Sequence, residues 1–188
     1  MRIQPDRSDS TSLPTRLPGI GVRALPIALL RPAGQASSMW EIRELSSADI
    51  ELVASVLGLA RLGQGDGFYL VAWDGDDPLG HAYLALTDPP ELQDVEVRPA
   101  HRRRGVATAL ADAAEALVAG RGCDRLRLTV SNANAAAQAL YLGLGYADVG
   151  IPPRRVQGTI QIRSGPIEVD DTLLTWEKRL VSAASGPP

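Results

Sequence analysis

From Trp40 onward, apolar residues recur at two spacings, with turn signals between the runs. Trp40–Glu44 alternates apolar and polar positions, as a strand covered on one face does. Ile50, Val53, Ala54 and Leu57 then share one helical face behind Ser47, which predicts a short helix with Ser47 as its N-cap. Leu59–Gly67 is glycine-rich and carries no period. Phe68–Trp73 and Leu79–Leu86 are apolar runs on either side of Asp74-Gly75-Asp76-Asp77-Pro78, and predict an antiparallel hairpin.

Leu92–Val97 predicts the next strand. Val106, Leu110, Ala113, Ala114, Leu117 and Val118 then line one face of a helix that opens at Gly105 and runs to about Ala119, where Gly120 and Gly122 end it. Arg125–Val130 predicts a strand with Leu126, Leu128 and Val130 on one face. Asn132 or Asn134 caps a helix reaching about Leu142, closed by Gly143 or Gly145. After Pro152 and Pro153 comes an alternating stretch near Thr159–Arg163, then a final strand within Thr172–Leu180. This order predicts one mixed α/β domain over residues 39–181, with a right-handed strand–helix–strand crossover after Val97.

The flanks have a different texture. Pro5, Pro14, Pro18, Pro26 and Pro32 stand among serines and threonines, so residues 1–38 are expected to be a disordered extension, or translation begins at Met39. Residues 182–188 are expected to be a loose tail.

Composition narrows the classes. A net charge of −3 gives no global reason to expect nucleic acid as a partner. The single cysteine, Cys123, excludes an internal disulfide, and no Cys/His cluster has metal-site spacing, so no metal is expected. No apolar run reaches the length of a membrane span; Ala24–Leu30 is short and broken by Pro26. A cytoplasmic location without membrane association is the expectation. His81, His101 and Cys123 read as structural residues, and Trp40, Trp73 and Trp176 as strand packing.

The densest chemistry lies between Val97 and Leu110. Arg102-x-x-Gly105-x-Ala107 joins a strand end to a helix start, with Arg103 and Arg104 beside it. A helix start offers free N–H groups, here those from about Arg103 through Val106 and Ala107 to Thr108, and a glycine lets a ligand approach them. The pattern suits a diphosphate; taken alone it also suits a solvated turn or a nucleic-acid patch. On the preceding strand, Asp94 and Glu96 share one face, Val95 and Val97 the other. Seven residues separate Asn134 from Tyr141, which places both on one helix face about 10 Å apart along the axis.

Together these stretches resemble the GNAT superfamily of acyl-CoA-dependent N-acetyltransferases. The resemblance rests on Val97-Arg98-Pro99 before Arg102-x-x-Gly105-x-Ala107, and on Asn134-x-x-Ala137-x-x-Leu140-Tyr141-x-x-Leu144-Gly145-Tyr146. The closing strand Leu174-Thr175-Trp176-Glu177-Lys178-Arg179-Leu180 adds to it. The resemblance implies a mixed α/β fold: a central, mostly antiparallel sheet with flanking helices and splayed fourth and fifth strands. It implies transfer of an acetyl group from acetyl-CoA, as co-substrate, to a primary amine of a small molecule, peptide or protein, by direct attack in a ternary complex.

By the same resemblance, the loop amides and Arg102, Arg103 or Arg104 hold the diphosphate. Asn134 and the backbones of Val95 and Val97 hold the pantetheine arm, with a strand-four amide such as that of Val97 facing the oxyanion. Tyr141 protonates the departing thiolate. Alkylamines are protonated at neutral pH, so a base is needed; Glu96, nearest the loop, is the first choice, with Asp94 and Glu91 behind it. Asp88, Glu91, Asp94 and Glu96 favour a cationic acceptor. Arg154, Arg155 and Arg163, in the 147–171 segment expected to wall the acceptor side, favour an anionic one. A homodimer is compatible with this reading. The rival readings are a non-catalytic acyl-CoA sensor and a nucleotide- or nucleic-acid-binding protein, but the chain lacks the glycine-rich phosphate motifs of the latter.

Overall fold

Residues 40–59, 62, 66–162 and 165–181 are described by the structure, a computed structural model. The expected extension 1–38, the tail 182–188 and Arg163 lie outside the described residues. In chain order the elements are β1 (Glu41–Glu44), α1 (Ile50–Leu57), β2 (Gly67–Asp74), β3 (Asp77–Ala85) and β4 (Glu91–Val97), then a 3-10 turn at Pro99–His101. There follow α2 (Val106–Gly120), β5 (Arg125–Ser131), α3 (Ala135–Gly143), β6 (Ala147–Asp148), β7 (Arg154–Ile162) and β8 (Gly165–Arg179).

The strands form one sheet in the order β1-β2-β3-β4-β5-β8-β6, with β7 paired to β8. Every pairing is antiparallel except that of β4 with β5. Apolar residues on both faces of β2 and β3 explain why helices pack on both sides. One core carries Leu70, Ala72, Leu84, Leu126, Leu128 and Val130 against Leu110, Ala114 and Val118 of α2. The other carries Tyr69, Val71, Trp73 and Tyr83 against Val53 of α1. Leu110, Leu126 and Leu128 are fully buried, each contributing about 1.5–3 kcal/mol of transfer free energy.

Two irregularities position everything that follows. The first is a bulge in β4. His81 faces Glu96 and Tyr83 faces Gln93, so Asp94 and Val95 together oppose Ala82. Asp94 takes a φ of 50° to make this step. The bulge resets the alternation, which is why Leu92 and Val97, five positions apart, point into the same core. The second is the parting of β4 and β5, which pair only at Glu91 with Arg127 and at Leu92 with Leu128. Beyond Leu92 the two strands diverge and leave a free edge on each. The splayed, mostly antiparallel sheet expected from the resemblance is therefore present.

Several sequence expectations need correction. The N-cap of α1 is Asp49, not Ser47, because Ser46 through Asp49 form a turn in which the Ser46 hydroxyl bonds Asp49 at 2.7 Å. Trp40 precedes β1 as a bend. The 147–171 stretch is mostly strand: β7 and β8 are longer than alternation alone suggested, since each supplies the other's ladder partners along the whole hairpin.

Candidate active site

The anion loop is built by the backbone. Gly105 stands at the N-cap of α2 with φ 83°, and no side chain caps that helix. The N–H groups of Val106, Ala107 and Thr108 lie in its first turn, where no preceding carbonyl can reach them. Arg103 also turns through positive φ, at 60°. A Cβ on Gly105 would meet nothing closer than Trp40 Cζ2 at 4.0 Å. The glycine is therefore required by its left-handed φ and by the open approach to the amides, not by a crowded neighbour.

The three arginines divide their work. Arg102 Nε donates to the carbonyl of Val97 at 2.9 Å, tying the loop to the end of β4. Arg104 lies 5.6 Å from the Trp40 ring centroid and 3.1 Å from His101 Nδ1. Arg103 and Arg104 are exposed at the helix start.

The free edge of β4 is decided by its ladder. The Arg98 N–H donates to Leu79 O at 2.9 Å, toward β3. Backbone groups alternate along a strand, so Val97 presents its N–H and C=O to the opposite side, where β5 has diverged; Val95, within the bulge, lies on the same unpaired stretch of β4. The bulge leaves these two residues as an open strand edge leading to the anion loop.

Asn134 and Tyr141 stand at the start and near the end of α3, which packs against β5. Asn134 caps the helix: its Oδ1 accepts from the Ala137 N–H at 3.0 Å, which leaves its Nδ2 as a donor on an exposed residue. Tyr141 is 8% exposed and packs edge-on against Tyr146, with ring centroids 5.7 Å apart. Burial pushes the Tyr141 phenol up to about 12, so it keeps its proton at neutral pH. Tyr146 is pushed far above the usual phenol range by its own burial, then by the charge of Glu115.

The carboxylates named from the sequence separate. Glu96 is exposed and lines a cavity of about 130 Å³ with Val56, Leu57, His81, Arg98 and Pro99. Asp94 turns to His81 Nε2 at 3.3 Å. Glu91 lies at the closed end of the β4–β5 parting and accepts from the Thr129 hydroxyl at 3.1 Å. On the acceptor arginines, Arg155 is engaged with Asp170, and Arg154 is exposed on β7 opposite Leu173. Sequence reasoning missed the cavity, because α1 and the β3–β4 ladder assemble it across distant segments. The one available signal was His81 itself, a polar residue inside the apolar run Leu79–Leu86.

Among the described residues, no group of three or more His, Cys, Asp or Glu side chains has metal-site geometry, and no helix is long and apolar enough to cross a membrane.

Comparison with known proteins agrees with this architecture. A streptothricin acetyltransferase of Streptomyces lavendulae is 36% identical over 95 residues, 49% of this chain and 50% of the relative. The chain thus spans about half the length of that curated relative. The ribosomal-protein-S18-alanine N-acetyltransferase of Escherichia coli matches with a TM-score of 0.59 at 20% identity, over 79% of this chain and 99% of that one. A Bacillus anthracis structure in complex with acetyl coenzyme A matches at 0.57 and 14% identity, over 75% and 99%. These structural likenesses establish a shared fold. The model of the acetyltransferase (GNAT) family matches residues 36–146, and the chain belongs to that family.

Proposed function

We propose that the protein transfers the acetyl group of acetyl-CoA to a primary amine. The observation that carries this reading is the run of the open β4 edge at Val95 and Val97 into the uncapped N-terminus of α2 at Gly105, with Tyr141 buried in the same core as Val97 and Val106. The diphosphate binds the amides of Gly105, Val106, Ala107 and Thr108, with Arg103 and Arg104 adding charge and Arg102 fixing the loop. Val95, Val97 and Asn134 hold the pantetheine arm in the manner of an added strand. The Val97 N–H faces the carbonyl oxygen that gains charge during attack. Tyr141 donates its proton to the departing thiolate.

The acceptor enters from the α1 side. Glu96, exposed in the cavity, draws in the ammonium and takes its proton directly or through water, and the amine then attacks the thioester carbon. The streptothricin acetyltransferase relative supports an amine-bearing small molecule as acceptor. The commitment of Arg155 to Asp170 removes one argument for an anionic acceptor. A cytoplasmic location, the absence of a nucleic-acid partner and a homodimer belong to this reading as its expected setting.

An acceptor panel including streptothricin, spermidine and N-terminal peptides, read by release of free CoA thiol, tests the function. Amine-dependent thiol release is the expected result. Acetyl-CoA binding without turnover on any amine would favour a sensor role. Glu96→Gln is expected to lower turnover by about 100-fold with acetyl-CoA binding retained.

A further inference from the structure

One group in the acceptor cavity has no part in that scheme. His81 is 1% exposed and is the one buried polar side chain of the core among the described residues. It stands in the wall of the cavity directly across the β3–β4 ladder from Glu96. Side chains opposed in this way have Cβ atoms about 4.5–5.5 Å apart.

Its surroundings define its hydrogen. Nε2 lies 3.3 Å from Asp94 Oδ2, and a carboxylate only accepts, so Nε2 carries the proton. Nδ1 then bears a lone pair, and it is buried with no hydrogen-bond partner among the described residues. Tyr69 packs edge-on against the ring at 5.7 Å, which fixes its plane. Arg98, the cation in the cavity wall, is bonded to Asp77 Oδ1 at 2.6 Å and to the Pro78 carbonyl at 3.2 Å. The α1 residues that line the cavity, Val56 and Leu57, are apolar. The charged and titratable groups around the imidazole include Asp94, Glu96, Arg98 and the phenol of Tyr69, with the Tyr83 phenol packed behind Tyr69. Asp94 reaches His81 from within the bulge, where its φ is 50°. The strained residue and the orphaned nitrogen are thus parts of one arrangement.

We propose that His81, oriented by Asp94, is the proton-relay residue behind Glu96. This rests on the acetyl-transfer reading above. The N–H bond of the bound ammonium breaks, and its electron pair stays on the amine nitrogen. The proton passes through the Glu96 carboxylate to form a bond at His81 Nδ1. The resulting imidazolium is balanced by Asp94, and the proton returns through the exposed Glu96 carboxylate to solvent after the acetyl group has moved. An imidazole is better matched than an exposed carboxylate to holding a proton near neutrality.

The test compares wild type with His81→Gln and Asp94→Asn on whichever of spermidine and streptothricin the wild type acetylates, from about pH 7 to about pH 10. At the lower pH, His81→Gln is expected to lose about 100-fold in kcat, with KM for acetyl-CoA changed less than about two-fold. The loss should shrink to under about five-fold at the upper pH, where an alkylamine is substantially neutral in solution. Asp94→Asn should follow the same course with a smaller loss. A deficit that stays constant with pH, or no deficit, would overturn the relay while leaving acetyl transfer intact. Absence of wild-type turnover on every amine would overturn both. A second readout is independent of turnover and needs no substitution at His81 or Asp94. The chain has two histidines, so nitrogen-15 spectra of the full chain, assigned with His101→Gln, report the His81 tautomer at about pH 7.5. An Nε2–H form is expected; an Nδ1–H form would overturn the proposal.

Discussion

Arg102 Nε donates to the main-chain carbonyl of Val97 at 2.9 Å, and so joins the anion loop to the last residue of β4. The bond crosses the place where the strand ends and the 3-10 turn at Pro99–His101 begins. It sets the distance between the two surfaces proposed to carry acetyl-CoA: the loop amides, and the open edge at Val95 and Val97. The first arginine of the motif acts through geometry, and the exposed Arg103 and Arg104 are left to meet charge.

Arg102→Ala should therefore weaken acetyl-CoA binding by more than the loss of one surface cation. We expect a rise in Kd of about ten-fold, with a stability loss of about 1 kcal/mol from the missing hydrogen bond. Arg104→Ala, which removes only an exposed charge stacked by Trp40, should change Kd by less than about three-fold. Calorimetric titration of both variants with CoA checks the ordering.

Gly105→Ala tests the loop backbone. The added methyl meets open space, so the cost comes from holding alanine at φ 83°, about 1–2 kcal/mol. Relaxing that strain re-aims the N–H groups of the first helical turn. A lowered Tm together with weakened CoA binding is expected. A lowered Tm with unchanged binding would show that those amides do not meet the ligand.

Tyr141→Phe should reduce kcat by about 100-fold while acetyl-CoA affinity holds within about two-fold. Its phenol is raised from the ordinary 10.0 to about 12 by burial, so the donor stays protonated throughout the neutral range. Folding favours the neutral phenol. That contribution is complete below the unfolded value near 10 and is lost as pH rises through about 12. Chemical denaturation across that alkaline window should find wild type losing stability more steeply than Tyr141→Phe.

Lys178 Nζ donates to Glu115 Oε2 at 2.5 Å beside the Tyr146 ring, with the two side chains 25% and 12% exposed. Removing the lysine leaves a mostly buried carboxylate uncompensated. Lys178→Met should cost about 3 kcal/mol, and the double variant with Glu115→Leu should recover most of it. Urea denaturation of the single and double variants measures the difference.

Much of this was legible in the chain. Leu126, Leu128 and Val130 announce one buried strand face, and all three are buried. Val106, Leu110, Ala114 and Val118 announce the inner face of α2. The loop and the Asn134–Tyr141 helix are local sequences whose spacing is meaningful before any folding. Their failures are also local in origin: Ser47 has the right chemistry for a cap, but the Ser46–Asp49 turn starts the helix later.

The sequence by itself determined most of the element order, the helix start at Gly105 and the family resemblance, because these depend on residues within about ten positions of one another, where spacing alone sets the face. Only the tertiary structure decided how the acidic strand is used. Simple alternation placed Asp94 and Glu96 side by side as equivalent candidates. The β4 bulge, formed against β3, sends Asp94 to His81 and leaves Glu96 in the cavity under α1. A bulge is a register event between two strands, so its consequences lie in the pairing and not in either strand's own pattern.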